Sequence, residues 1–306
     1  MTISLISHPD CALHEMGEHH PESPARLGAV RNQLLSSGLD AVLLHQDAPL
    51  ASREQLCLVH DADYVDLIFK NAPAEGRVRL DPDTSMNPDS LNAALRAAGA
   101  VVLGVDLVMS GQSSAAFCNV RPPGHHAERN TAMGFCIFNN VAVGAAYALQ
   151  AHGLERVAIL DFDVHHGNGT EDMFRDKPGV LFCSTFQHPF YPHSGADVDS
   201  DNIVNVPLPA GTDGQGFRTA VESHWLPRLE AFQPELILIS AGFDAHIEDD
   251  MAGLCLVEKD YAWVTTEISK IADRFAQGRI VSTLEGGYAL SALGRSVVAH
   301  INVLLG

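Results

Sequence analysis

The chain has 306 residues, of which 46% are hydrophobic and 19% charged. That apolar fraction can supply a sizeable core, and a composition of this kind excludes a chain that is disordered throughout. The formal charge of −19 argues against nucleic acid and anionic membrane surfaces as partners and would attract cations.

Short apolar runs at 3–6, 115–118, 157–162, 180–184, 236–240 and 280–284 predict strands. Between them, helical patterns cover 24–36, 88–108, 140–151, 216–232, 258–276 and 291–303, with Asp89 or Asn87 placed to cap the second. This alternation reads as an α/β fold, a mostly parallel multi-stranded sheet flanked by helices on both faces. No repeat or linker divides the chain, so one catalytic domain over 1–306 is expected. Cys11, Cys57, Cys118, Cys136, Cys183 and Cys255 form no C-x-x-C pair and read as reduced structural thiols of a cytoplasmic protein. The first residues carry no basic segment followed by an apolar stretch, and no apolar run approaches the roughly 18 residues of a membrane helix.

In parallel α/β sheets the site lies beyond the carboxyl ends of the strands. Four polar clusters fall there: Arg121-Pro122-Pro123-Gly124-His125-His126, Asp161-Phe162-Asp163-Val164-His165-His166-Gly167-Asn168-Gly169, Ser240-Ala241-Gly242-Phe243-Asp244, and Leu284-Glu285-Gly286-Gly287-Tyr288. Asp161, Asp163 and His165 share one face if the strand continues through them. Two carboxylates and an imidazole are costly to bury unpaired, and a divalent cation removes that cost. With Asp244 the set Asp163, His165 and Asp244 leaves an open position, as catalytic zinc requires, although Fe(II) or Co(II) also suits these ligands. His125 and His126, in a Pro-Pro-Gly frame, can move protons, with Asp161 and Asn168 available to set their tautomers. Tyr288, after two glycines, can donate to a developing oxyanion.

Together these clusters resemble the histone deacetylase superfamily, with its arginase/deacetylase fold. Supporting stretches are His20-Pro21-Glu22-Ser23-Pro24-Ala25-Arg26-Leu27, Asp81-Pro82-Asp83-Thr84 and Gly134-Phe135-Cys136-Ile137-Phe138-Asn139-Asn140. Asp83-Thr84 and Gly167-Asn168-Gly169 look closest to the class II branch and its bacterial relatives, which include acetylpolyamine amidohydrolases. The resemblance implies Zn²⁺ on Asp163, His165 and Asp244, His126 as base and then acid, and His125 as its electrostatic partner, oriented by Asp161. It implies Tyr288 as the group that polarises the acetyl carbonyl, and Phe135, beside Gly134, as one tunnel wall. It also implies a structural K⁺ on Asp161, Asp163, His165, Ser184 and Thr185, and a second monovalent ion near Phe174 and Val180.

Three departures matter. Asn168 stands where many relatives carry Asp, so His126 has a neutral partner. Tyr191 replaces a tunnel Phe, and Met251 stands where a polyamine-selective branch carries Glu. Unlike two-manganese ureohydrolases of this fold, the chain has His246 two residues after Asp244, not a further aspartate, which favours one catalytic metal. The expected activity is hydrolysis of the N-acetyl amide of a cationic amine. Glu15, Glu18, Asp89, Glu248, Asp249 and Asp250 are expected near the mouth and tilt the choice toward acetylpolyamines over acetyl-lysine peptides. A non-catalytic acyl-lysine binding module is the contrasting reading, opposed by His125, His126 and Tyr288.

Overall fold

A computed structural model describes residues 2–198 and 200–306. Eight strands form one sheet: β1 (Ile3–Ser7), β2 (Leu44–Asp47), β3 (Ala115–Cys118), β4 (Val157–Asp161), β5 (Val180–Gln187), β6 (Ile203–Leu208), β7 (Leu236–Ala241) and β8 (Ile280–Leu284). Their spatial order is β2-β1-β3-β8-β7-β4-β5-β6, and every pairing is parallel. The arginase/deacetylase reading of the fold holds.

The helices are α1 (Ala25–Ser37), α2 (Ala62–Asn71), α3 (Ser90–Met109), α4 (Asn140–Ala151), α5 (Asn168–Phe174), α6 (Glu258–Phe275) and α7 (Leu290–Leu305), with a further helical stretch at 214–232. Strand side chains divide by parity between two cores. Val157 and Ile159 pack toward α3 and α4, whereas Ala158 and Leu160 face the side of α1, α6 and α7. A parallel sheet covered on both faces explains why its strands read as unbroken apolar runs.

Helix α3 corrects the membrane expectation. It is 20 residues long with a mean hydropathy of 1.6 over its most apolar window, enough to cross a bilayer by length and composition. Arg96 and Asp106 break the run in sequence, yet two charges do not disqualify it. Most of that window is buried inside the fold, which makes it a core helix of this structure. The cap differs in detail too. Asp89 precedes α3 without a side-chain bond, while Ser90 Oγ donates to Asn87 Oδ1 (2.6 Å).

Candidate active site

The ligand candidates follow two adjacent strands. Strand β4 ends at Asp161, so Asp163 and His165 lie on the loop beyond it and not on a continuing strand. What brings them round is local: Asp163 N donates to Asp161 Oδ1 (3.1 Å) and His165 N to Asp163 Oδ1 (2.9 Å). Short acidic side chains that accept from the backbone two residues on bend a chain in this way. Asp244 follows β7, the sheet neighbour of β4, and Val164 N donates to its Oδ1 (2.9 Å). Gly286 N, beyond β8, donates to Asp163 Oδ2 (2.7 Å). Gly286 has no alternative here, because a Cβ would strike both carboxylates.

One ligand atom from each of Asp163, His165 and Asp244 lies within 4.8 Å of the others, and all three residues are buried. His165 Nδ1 is 3.0 Å from Asp163 Oδ1 and 3.2 Å from Asp244 Oδ2, yet Asp244 Oδ2 has no well-aligned hydrogen-bond partner among the described residues. Burial would lower His165, but the two aspartates hold it up to about 9. Burial and the Asp163 charge push Asp244 up to about 7. The cluster therefore calls for positive charge, as protons or as a cation. An orphaned buried carboxylate oxygen beside an imidazole and a second carboxylate fits a divalent metal.

The two histidines divide in character. His125 Nδ1 donates to Asp161 Oδ2 (2.9 Å), and its Nε2 is 3.8 Å from Asp163 Oδ1. Burial disfavours its charged form, but Asp161 and Asp163 outweigh that and hold it up to about 10. His126 Nδ1 is 2.8 Å from Asn168 Oδ1, and the Asn168 amide donates in turn to Glu128 Oε1 (2.7 Å). This chain sets Nδ1–H as the donor and leaves Nε2 with a lone pair. Burial and the nearby charges of His125 and His165 keep His126 well below its ordinary value.

Both histidines line a pocket of about 170 Å³ with Phe135, Phe190, Tyr191, Met251 and Tyr288, and Asp83 supplies a carboxylate to its lining. Gly134 also lines it, at φ 57°, where a Cβ would run into the His126 ring. Phe135, the next residue, has φ 68°, a left-handed conformation rare for a non-glycine, and its N–H donates to Thr84 Oγ1 (3.0 Å). Burial, opposed by Arg26, raises the Tyr288 phenol well above its ordinary value, so it stays protonated. The Tyr191 hydroxyl is buried with no hydrogen-bond partner among the described residues.

Other expected residues lie elsewhere. Glu18 is exposed and borders a separate cavity with Glu15, Arg77 and Asn87, and Asp89 sits half-buried at the start of α3. Neither lines the pocket. Proximity in sequence to a mouth-forming motif does not tell on which side of the loop a charge emerges. Ser184, on β5, is in register with Asp161, and Thr185 follows it; both are buried. Phe174 and Val180 do turn carbonyls toward a common point, but the side chain of Asn202 is there.

Three supporting roles were not read from sequence. Glu128 orients Asn168. Glu285, within a motif but given no role, accepts from Gly124 N (2.6 Å) and His125 N (3.2 Å) and so holds the histidine loop. Asp249, expected at the mouth, is buried; its Oδ2 accepts from Tyr288 N (2.6 Å) and Ala289 N (2.9 Å), and its Oδ1 from Met251 N (3.1 Å). Its signal was its place between Asp244 and Met251, but only the fold brings Tyr288 to it.

A family description, the histone deacetylase domain, matches residues 20–304. The chain is 42% identical to an uncharacterised protein of Synechocystis sp., over 99% of each. It is 39% identical to a histone deacetylase-like amidohydrolase of Pseudomonas aeruginosa, over 88% of this chain and 73% of that one. Among solved structures, the HD domain of HDA15 superposes with a TM-score of 0.94 at 33% identity, covering 100% of this chain and 90% of the other.

Proposed function

The chain belongs to the histone deacetylase family, and on that premise we propose that it is a zinc-dependent deacetylase that hydrolyses the N-acetyl amide of a cationic amine, acetylpolyamines being the favoured class. The observation that carries the reading is the pairing of a neutral His126 with a protonated Tyr288 in a narrow pocket that is also lined by His165, the imidazole of the cluster with Asp163 and Asp244. A divalent ion on those three residues would supply Lewis acidity, polarising the acyl oxygen and acidifying water.

The protein's own groups account for the proton movements. His126 Nε2 takes a proton from the attacking water as its oxygen bonds to the acyl carbon. Tyr288 donates a hydrogen bond to the oxygen on which charge develops. When the carbon–nitrogen bond breaks, His126 returns the proton to the leaving nitrogen, giving acetate and the free amine. His125, charged and anchored to Asp161, disfavours a lasting second charge on His126, whose rings lie 4.0 Å apart centroid to centroid. Asp161, the main-chain oxygens of Asp163 and His165, Ser184 and Thr185 would hold a structural K⁺ beneath the loop.

Substrate choice rests on the walls. Phe135, Tyr191 and Met251 suit a slim alkyl chain, and Asp83 offers a carboxylate to an ammonium group beyond it. Burial and Asp81 raise the Asp83 carboxyl, so a cation alongside would be stabilising. The acetyl-lysine reading draws on Met251, which adds no second charge to select a polyamine. Measuring kcat/KM for acetylputrescine, acetylspermidine and an acetyl-lysine peptide on zinc-loaded protein tests both. Acetylpolyamines turned over fastest supports the proposal. A faster acetyl-lysine peptide makes the chain a lysine deacetylase, and no turnover of any acetylated amine would sink the catalytic reading.

A further inference from the structure

The carbonyl oxygens of Phe174, Lys177 and Val180 converge between α5 and β5. The side-chain nitrogen of Asn202 stands among them, 2.7 Å from Phe174 O, 3.1 Å from Lys177 O and 2.9 Å from Val180 O. Its Oδ1 accepts from Asp176 N (3.2 Å) and Ser200 Oγ (2.8 Å). These two donors fix the amide's orientation. A flipped amide would set oxygen against three oxygens and N–H against N–H.

Family resemblance implies a monovalent ion at this place, and the residues present do not fit one. Three oxygens 2.7–3.1 Å from one centre leave room for a single non-hydrogen atom, and Nδ2 is that atom. We propose that the Asn202 amide replaces the second monovalent cation, so that this edge of the protein is held by a group built into the chain. Polar satisfaction is complete without a charge. The amide supplies two hydrogens, and Lys177 N and Val180 N donate to Phe174 O and Lys177 O, each at 2.9 Å. Neutral oxygens need donors, not a formal charge. The Asn202 main chain is engaged as well, its carbonyl accepting from Phe182 N (2.9 Å) at the start of the β5–β6 pairing. One residue thereby fastens the end of α5, the helix that begins at Asn168, to the sheet edge.

Two experiments decide this without reference to activity. Crystals soaked in Tl⁺ or Rb⁺ should show no anomalous peak among the three carbonyls in the wild-type protein, and should show one in Asn202→Ala. In parallel, thermal midpoints are read against KCl, with choline chloride holding ionic strength. Asn202→Ala should melt lower than wild type in choline chloride and recover with K⁺ by about 3 °C or more beyond the wild-type response, as mass action at a new ion site requires. A peak at the three carbonyls in wild type, with Asn202 turned away, overturns the proposal. So does an Asn202→Ala variant whose midpoint equals wild type's in choline chloride. Should that variant not fold, the wild-type crystal decides by itself.

Discussion

Two oxygen clusters lie on neighbouring parts of the same sheet and are resolved in opposite ways. Beyond β4 and β7, two carboxylates and an imidazole converge, and one carboxylate oxygen has no well-aligned donor among the described residues. Between α5 and β5, three carbonyls converge and a side-chain amide satisfies them. The difference is formal charge. An amide N–H compensates the partial charge of a peptide oxygen, but it cannot neutralise buried carboxylates. Asparagine ends the matter in one place; the other site is left to call for a cation.

The largest expected effect breaks the comparison on purpose. Asp244→Asn puts into the pocket the kind of group that fills the carbonyl cluster. Metal affinity should fall by more than the roughly 10–100-fold typical of losing an outer partner, and turnover should vanish. Elemental analysis of the dialysed variant checks it, and full metal retention would show that Asp244 is not a ligand. Chelation of the wild type should likewise abolish turnover, with Zn²⁺ or Co²⁺ restoring it. Activity in verified metal-free protein would refute the metal assignment.

Next in size, His126→Ala should lower kcat by about 10²–10⁴ with metal content unchanged, the range for a group that transfers protons. Metal loss in that variant would move His126 into the ligand set. Tyr288→Phe should cost about 10²–10³ in kcat, as one oxyanion donor does. A rate within twofold of wild type would remove that role. Asp249→Asn should cost roughly tenfold in the wild-type background and close to nothing in Tyr288→Phe, because its contribution passes through the position of the phenol. Equal losses in both backgrounds would make Asp249 merely structural.

The smallest effect concerns stability away from both clusters. Burial lowers His14 and His60 to about 4 and His300 to about 3. Burial raises Glu22, but Arg121 and Arg26 overcome it and hold the carboxyl at about 2. In every case the folded state binds fewer protons than the unfolded chain below the ordinary value. These contributions are full above pH 6.5 and fade as pH falls toward 4, with Glu22 lost between about 4.5 and 2. Asp244 and Glu285, both raised to about 7 by burial, pull the midpoint the other way over the same range. The histidine share is therefore read by difference: the fall in midpoint from pH 6.5 to 4 should be smaller in His300→Gln than in wild type, and an equal fall in both would contradict it.

Sequence pattern found the six inner strands, because burial on both faces makes them continuous apolar runs. It passed over β2, Leu44-His45-Gln46-Asp47, since an edge strand can be polar, and β6, where Asn205 and Pro207 interrupt the apolar residues. The clustering of Asp163, His165 and Asp244 was legible because all three follow strands within short motifs. Glu128, Asp249 and Asn202 were not, since each acts on a partner 22 to 40 residues away that only the fold delivers. The mouth carboxylates failed for the same reason: Asp83 lines the pocket, whereas Glu18 and Asp89 do not.

Gly134 and Gly286 set a limit on what the pocket can become. Each lies so close to the reacting groups that even a methyl would displace the His126 ring or the ligand carboxylates. Attempts to retune the catalyst for longer or bulkier acyl groups therefore have little freedom at its floor. Tyr191 and Met251 are walls of the pocket, and their side chains can be exchanged without moving a glycine, although the Tyr191 ring packs edge-on against His126 at 5.2 Å between centroids. An engineered library at Met251, with Tyr191 kept aromatic, would change what enters while keeping the ring that packs on His126.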